Sequence, residues 1–522
     1  MRAITVLLVL FPFLGRAQNA APVVDITGAS VDLLAGTVTV TYDLSDTEND
    51  PCNVHFHAST DAGFSFMEDT QLATGSIGAD ITPANGLSIT WPYSGIVDIQ
   101  SVTVRVSADD GHTPDIQAMV DQVLEATVAA RLANIAIPRH YQSAPAGLAQ
   151  VRDSIWQQFS SAGLQTVATP VPYNGSFSDN VMGRQPGFIN EARTFTVDAH
   201  YDAEANVPGA DDNATGVVAT LEIARILSQY TFKNSIRYIG FTFEEQGLIG
   251  SQYHVQSDFP EWETHDGTLN MEMIGYYSDE PNSQTVPAGF DFLFPDAVAA
   301  IEADEYRGNF LTVVGNTNSQ SLINTYSNAC DQYVPTLRHI TLEVPGNGTI
   351  APDLRRSDHA SFWDEGIQAL MLTDGSNFRN ANYHTPNDVV ATIDITFLTQ
   401  NTKATLATAA ILAEPINMGA DQFDLANAVG ITEKGLVRTM VVYPVPLYSG
   451  CAEDVLHIKV DHVQQARFGL FDLSGRNAVP EQLLQVGKDG TFHFSVGGLA
   501  AGLYVLRMNS EGGTTAVKVE VR

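Results

Sequence analysis

The sequence predicts an α/β protein: a three-layer sandwich with a mostly parallel central sheet, flanked by two small β-sandwich domains. Three observations predict it. Between residues 128 and 417, helix-period and strand-type segments alternate, the form taken by helices that cover both faces of a parallel sheet. The run Ile236 to Phe243 is apolar, β-branched and aromatic at strand length, as in a strand buried on both faces. Residues 20–127 and 436–522 instead alternate with a period of two between turn clusters, which is the pattern of antiparallel sandwiches.

Residues 1–19 carry Arg2, an apolar run from Ile4 to Leu14 and the small-residue stretch Gly15-Arg16-Ala17, so they read as a secretory signal peptide. The run is shorter than the about 20 residues of a bilayer span, and no transmembrane anchor is expected elsewhere. In residues 20–127, Val38, Val40, Tyr42 and Leu44, then Val102, Val104 and Val106, alternate around turns at Asp46 to Pro51 and Asp109-Asp110-Gly111. This looks like an immunoglobulin- or fibronectin-type module. Asp46, Glu48, Asn49 and Asp50 read as an acidic turn, with a calcium site as the alternative. Trp91 reads as packing.

The central domain is expected over 128–417. Val123 to Ala133 and Leu148 to Phe159 read as helices, and Thr166 to Val171, Asp179 to Met182 and Thr194 to Ala199 as strands. His200 would emerge at the end of the last of these. Asp-Asn-Ala-Thr, rich in N-cap residue types, opens a helix marked by Val217, Val218, Leu221, Ala224 and Leu227, with Asp212 at its start. Glu244 and Glu245 fall at the carboxyl end of the Ile236 to Phe243 run. Open α/β sheets place their ligand crevices on that side. The Asp279 to Asn318 region, rich in Pro, Gly and acidic residues, is expected to form loops near the crevice, and His254 and His265 to lie at the surface. Residues 418–435 read as a linker. Beyond it, Leu456, Ile458 and Val460, Ala466, Phe468 and Leu470, and Val517, Val519 and Val521 mark the second small sandwich, at 436–522.

The chain has 60 acidic against 26 basic residues, a formal charge of −34. That balance excludes nucleic acid and anionic membranes as partners and suits a soluble exported protein. Cys52, Cys330 and Cys451 fall one to a domain, which argues against a disulfide framework.

Crowded carboxylates repel one another and are costly to desolvate unless something positive compensates them. A divalent metal does so. A histidine with two or three carboxylates suits zinc, and a carboxylate shared by two metals roughly 3.5–4 Å apart makes a hydrolytic site. One glutamate of the adjacent pair would then bind metal while the other remains free as a base. Singly, an HxD, a Glu-Glu after a strand or a DDNATG helix start is ordinary. Their convergence is not.

HYD, GADDNATG, FEEQGLIGS, LNMEMIG and YHTPND, in this order, resemble the di-zinc aminopeptidase family of metallopeptidases, peptidase family 28, over roughly residues 128–416. The resemblance implies a phosphorylase/hydrolase-like zinc peptidase fold and two zinc ions per chain, held by His200, Asp212, Glu245, Glu272 and His384. Asp212 would bridge the two ions. Glu244 would be the general base and Asp202 would orient His200. Tyr383 would steady the tetrahedral intermediate or form pocket wall. The family most often has Asp where this chain has Glu272. Met273, Tyr276 and Phe378 are candidates for a side-chain pocket, with core packing the alternative for Met273. Arg379 would meet a substrate carboxylate or form a surface salt bridge. Ser357-Asp358-His359 also resembles a family motif and would support the site from behind the ligands. The substrates implied are peptides with a free N-terminus. The same fold serves carboxypeptidases, glutaminyl cyclases and non-catalytic binding or adhesion modules. The complete DDNATG and EEQGLIGS motifs favour a peptidase over a cyclase.

VYPVPLYSG, LFDLSGR and GLAAGLYVLRM resemble the C-terminal sorting domain of type IX secretion, with Val445 where Asn is usual. That implies passage across a bacterial outer membrane by its secretion machinery, to a secreted or surface-attached location.

Overall fold

The computed structural model describes residues 19–521, apart from 33–34, 61–65, 67–71, 94–101, 261, 429–439, 444–454, 461–462, 464, 473–475, 488–490, 501 and 511–512. The signal segment, Cys451, the 429–435 part of the expected linker and most of the VYPVPLYSG motif lie outside the described residues.

An eight-stranded sheet organises the central domain. Its order is His339–Val344, Leu311–Asn316, Ala369–Thr373, Thr264–Met271, Asn190–His200, Asn234–Phe241, Ser176–Gln185, Gln165–Tyr173. The four strands from Ala369–Thr373 to Asn234–Phe241 are mutually parallel, and antiparallel pairings flank this block on both sides. All eight residues of Asn234–Phe241 are buried, as a strand covered on both faces must be. Register then levels the strand ends. His200 is paired with Phe241, and Asp198 with Asn270, so the residues just beyond them leave the sheet together at one edge.

Helices cover both faces. Glu125–Ile135, Pro145–Ser161, Gly216–Leu227, Gln320–Tyr333 and Ile395–Ala413 share one apolar core. The shorter helices Phe290–Leu293, Pro295–Ala303 and His359–Asp364 share the other. Ile395–Ala413 is buried along most of its length despite its threonines, because Thr399, Thr402, Thr405 and Thr408 each donate to the carbonyl four residues back. Asp394 caps it by accepting from the Phe397 amide. The Asp279 to Asn318 region holds two of the short helices and the strand Leu311–Asn316, where loops were expected. Pro295, Asp291 and Asp296 sit at the starts of these helices, and Asp279, Glu280, Pro281 and Pro287 lie in the coil and turns before them. Among the described residues no helix is long and apolar enough to cross a membrane.

The flanking domains are sandwiches of antiparallel sheets. In the N-terminal one, the strand Met418–Asp424 lies beside Thr103–Asp109, paired from Met418↔Asp109 to Asp424↔Thr103. The expected linker therefore begins with a strand of the first domain, and the whole central domain is inserted between two neighbouring strands of that sheet. Asn417 fastens the crossing by donating to Asp110 Oδ2 at 2.7 Å. The expected boundary at 127/128 also moves, since Met119, Val120 and Val123 pack into the central core. Leu425, fully buried among Val38, Val40, Trp91 and Val104, completes the N-terminal core from the far side of the insertion.

Leu425→Ala is accordingly expected to cost about 2–5 kcal/mol and to release amide protection in Thr103–Asp109, measured by hydrogen exchange. Unchanged protection there would show that the returning segment is dispensable.

Candidate metal centre

Three parallel strands and two loops deliver the polar groups to one sheet edge. Asn190–His200 ends on His200, with Asp202 just beyond. Asn234–Phe241 is followed by Glu244 and Glu245, and Thr264–Met271 by Glu272. Asp212 sits in the loop that opens the Gly216–Leu227 helix, and His384 in the loop after Phe378. Phe243, Met273 and His384 all have positive φ, at 56°, 52° and 55°. Non-glycine residues rarely adopt that conformation, and it clusters at functional sites.

The side chains gather around Asp212. Its Oδ1 lies 3.3 Å from His200 Nε2 and its Oδ2 3.1 Å from His384 Nε2. Glu272 Oε2 and Glu244 Oε2 stand 3.2 and 3.8 Å from the same His200 nitrogen, and Glu245 Oε2 stands 3.3 Å from His384 Nε2. Two groups of potential ligand atoms result, each within 4.8 Å: His200, Glu244 and Glu272 on one side, Glu204, Glu245 and His384 on the other. Asp212 faces one with each oxygen. Both ring nitrogens of His200 and Glu245 Oε1 are buried with no hydrogen-bond partner among the described residues, although buried polar atoms are nearly always paired. These orphaned atoms and the all-N/O donor set fit zinc.

Electrostatics point the same way. Burial and then Asp212 push Glu245 up to about 8, and burial and its acidic neighbours hold Glu244 well above the carboxylate range. Burial alone would lower His200 and His384, yet Glu244 and Glu272 drive His200 well up, and Asp212 and Glu245 bring His384 to about 10. Asp212, although buried, is held below its usual value by both imidazoles.

Surrounding groups fix the geometry. Asp202 lies 3.6 Å from His200 Nδ1, too far for a hydrogen bond. Its oxygens instead accept from the Glu244 and Glu245 amides at 3.2 and 3.3 Å. Ser357 Oγ donates to Glu272 Oε2 at 2.7 Å, steadying the longer arm. Asp358 is buried behind it. Asp388 accepts the amides of Asp211 and Asp212, and Asn213 spans the Met271 carbonyl and the Gly216 and Met273 amides. Tyr383 stacks on His384, with ring centroids 3.7 Å apart, and its hydroxyl accepts from Arg356 at 2.8 Å.

An apolar cavity of about 90 Å³, open to solvent, adjoins the cluster. Phe290, Phe294, Val298, Ile301, Phe310 and Met371 line it, and Glu272, Tyr383 and Phe378 border it. Met273 and Tyr276 are not among its walls, and Met273 is fully buried. Arg379 is neither a surface ion pair nor open to a ligand. It is buried, bonded to Gln284 and the Tyr276 carbonyl, and packed over Phe310.

His254 is not a surface residue, and His265 is half-buried. His254 is buried against Phe241, Phe259 and Phe362, and His265 stacks on Phe259. In the N-terminal module, Asp46 Oδ1 caps the Glu48 and Asp50 amides, and Asp46, Glu48 and Asp50 do not form a metal-sized group among the described residues. Glu204, Arg356, Asp388 and Asn213 were not singled out from the sequence. Glu204 and Asp388 had a usable signal, as the acidic residues that close HYDAE and YHTPND.

Residues 180–409 match the family model described as Peptidase family M28, and residues 441–522 match the Secretion system C-terminal sorting domain. The chain is similar to an uncharacterized protein, YfbL, of Escherichia coli strain K12, with 30% identity over 45% of this chain and 71% of that protein. A probable zinc metalloprotease of Pyrenophora teres f. teres is 24% identical over 60% of this chain and 72% of its own length. Aminopeptidase YwaD of Bacillus subtilis is 34% identical over a shorter stretch, 20% of this chain and 23% of that one.

Ligation through His384 and Glu245 would require both to lose protons, so zinc loading is expected to release protons and to strengthen as pH rises through about 8 for Glu245 and on towards about 10 for His384. Calorimetry in buffers of different ionisation heat measures this. Proton-neutral, pH-independent loading would mean that these groups are not the ligands.

Proposed function

We propose, the chain being a member of Peptidase family M28, that it is a two-zinc aminopeptidase, exported with its C-terminal sorting domain, which removes large apolar residues from peptide N-termini. The observation that carries the reading is the placement of Asp212, one oxygen toward His200 and Glu272 and the other toward His384 and Glu245. These five residues would hold the two ions. Zinc bound there supplies Lewis acidity, polarising the scissile carbonyl and acidifying water.

The chain's own residues do the rest. Glu244 sits beside His200 but is the farthest of the three carboxylates within 4 Å of its Nε2, at 3.8 Å, and is the residue left free to act as base. Burial keeps its affinity for protons high, the direction needed to accept one from the attacking water near neutral pH and return it to the leaving amine. Asp202 fixes the backbone of Glu244 and Glu245 together, so base and ligand keep their relative positions. Burial holds the Tyr383 hydroxyl above its ordinary range, so it stays protonated. With Arg356 occupying its lone pair, that proton is available to the developing oxyanion. The cavity beside Glu272 and Tyr383 takes the side chain of the N-terminal residue, and its phenylalanines favour a bulky apolar one. A cationic α-amine is favoured among the carboxylates, whereas an acetylated one brings no compensating charge.

A panel of chromogenic amino-acyl amides with free and acetylated amines tests the activity. Leucyl- and phenylalanyl-type substrates are expected to be cleaved only with the amine free, with activity lost on chelation and restored by zinc. Equal cleavage of the acetylated copies would contradict the aminopeptidase reading. Glu244→Gln is expected to lower kcat by about 10²–10⁴-fold while zinc content is kept. Wild-type turnover by that variant would remove Glu244 from the base role.

A further inference from the structure

Arg139 lies between the Glu125–Ile135 and Pro145–Ser161 helices, fully buried, and neither the five motifs nor the proposed chemistry accounts for it. Its guanidinium has five N–H donors and finds five acceptors, all of them backbone carbonyls. Nε donates to Tyr201 O at 2.7 Å, one terminal nitrogen to Ile137 O and Pro208 O, and the other to Gly209 O at 2.8 Å and Asp212 O at 3.3 Å. Four of the five belong to the segments that follow His200 and contain Asp212. Among the described residues no carboxylate pairs with it directly, yet Asp212, Asp388, Asp202 and Glu245 are the charges that act on it.

A buried cation without a direct ion pair is expensive, so its position needs a reason. Asp388 holds the Asp212 amide from one side, and Arg139 holds the Asp212 carbonyl from the other. With its backbone gripped at both polar groups, Asp212 keeps both side-chain oxygens turned to the imidazoles. Gly209 makes the grip possible, because its φ is +57° and a Cβ there would stand 2.2 Å from Asp212 O and 3.0 Å from Arg139 itself. The same positive charge lies beneath the carboxylates, where it relieves their repulsion.

We propose that Arg139 is a positioning residue for the metal centre, setting the bridging geometry of Asp212 from behind. This rests on the two-zinc reading. Lysine keeps the charge but offers three donors where five carbonyls wait.

The test is the zinc dissociation constant, measured by competition with a chromophoric chelator, for the wild-type protein, Arg139→Lys and Val128→Ala. The last truncates a fully buried apolar side chain that makes none of the loop's hydrogen bonds, which controls for lost stability. Wild type is expected to take up two zincs. Arg139→Lys is expected to bind them about 10- to 100-fold more weakly, while Val128→Ala lowers the melting temperature without moving the zinc constant. If Arg139→Lys does not fold, Asp388→Asn, which loosens the same loop from its amide side, is expected to show the same weakening. A folded Arg139→Lys with the wild-type constant, or an unchanged constant in Asp388→Asn where it is the variant read, overturns the proposal and leaves the zinc reading intact. Failure of wild type to bind zinc overturns both.

Discussion

Asp212 is the residue on which the site's architecture depends. Its carboxylate stands between two imidazoles at 3.3 and 3.1 Å, and the glutamates that complete each group would repel it and one another in the absence of a cation. A cluster of like charges holds such a shape only when the backbone behind it leaves no choice. Here the backbone is held by Asp388 at the amides, by Arg139 at the carbonyls and by Asn213 across to the next strand. The parallel block of the sheet supplies the remaining precision, because register places the ends of three strands level.

The surrounding fold serves that arrangement. Insertion of the central domain between two adjacent strands of the N-terminal sandwich means that its entry and exit are tied together at Asp110 and Asn417. A charged path continues across the same interface: Glu191 accepts the Phe66 amide and meets Arg184, which meets Glu263, which meets Arg237. The N-terminal module is thus a structural neighbour of the sheet and not a bead on a string. The apolar cavity is walled in part by the helices Phe290–Leu293 and Pro295–Ala303.

Much of this was legible in the sequence. The buried strand Asn234–Phe241 is announced by the apolar, β-branched and aromatic run from Ile236 to Phe243, and the acidic pair after it falls at the sheet edge. The helix after DDNAT is marked by its spacing. What could not be read has physical causes. Arg139 acts through carbonyl oxygens, which any residue supplies, so no pattern of side chains points to it. Met418–Asp424 is an edge strand in which only Met418 is fully buried, so it lacks the apolar alternation of a central strand. His254 and His265 are polar by name but are absorbed by Phe241, Phe259 and Phe362, a tertiary fact invisible to local reading. The cavity helices are short, of four and nine residues, and begin at Pro295 or just after Gly289, so neither carries enough turns to show a helical period.

The most direct measurement is the number and separation of zinc ions in the loaded protein, by anomalous scattering from crystals or by X-ray absorption. Two ions roughly 3.5–4 Å apart, with the Asp212 carboxylate between them, are the expected result. A single ion, or two too far apart to share that carboxylate, would contradict the account.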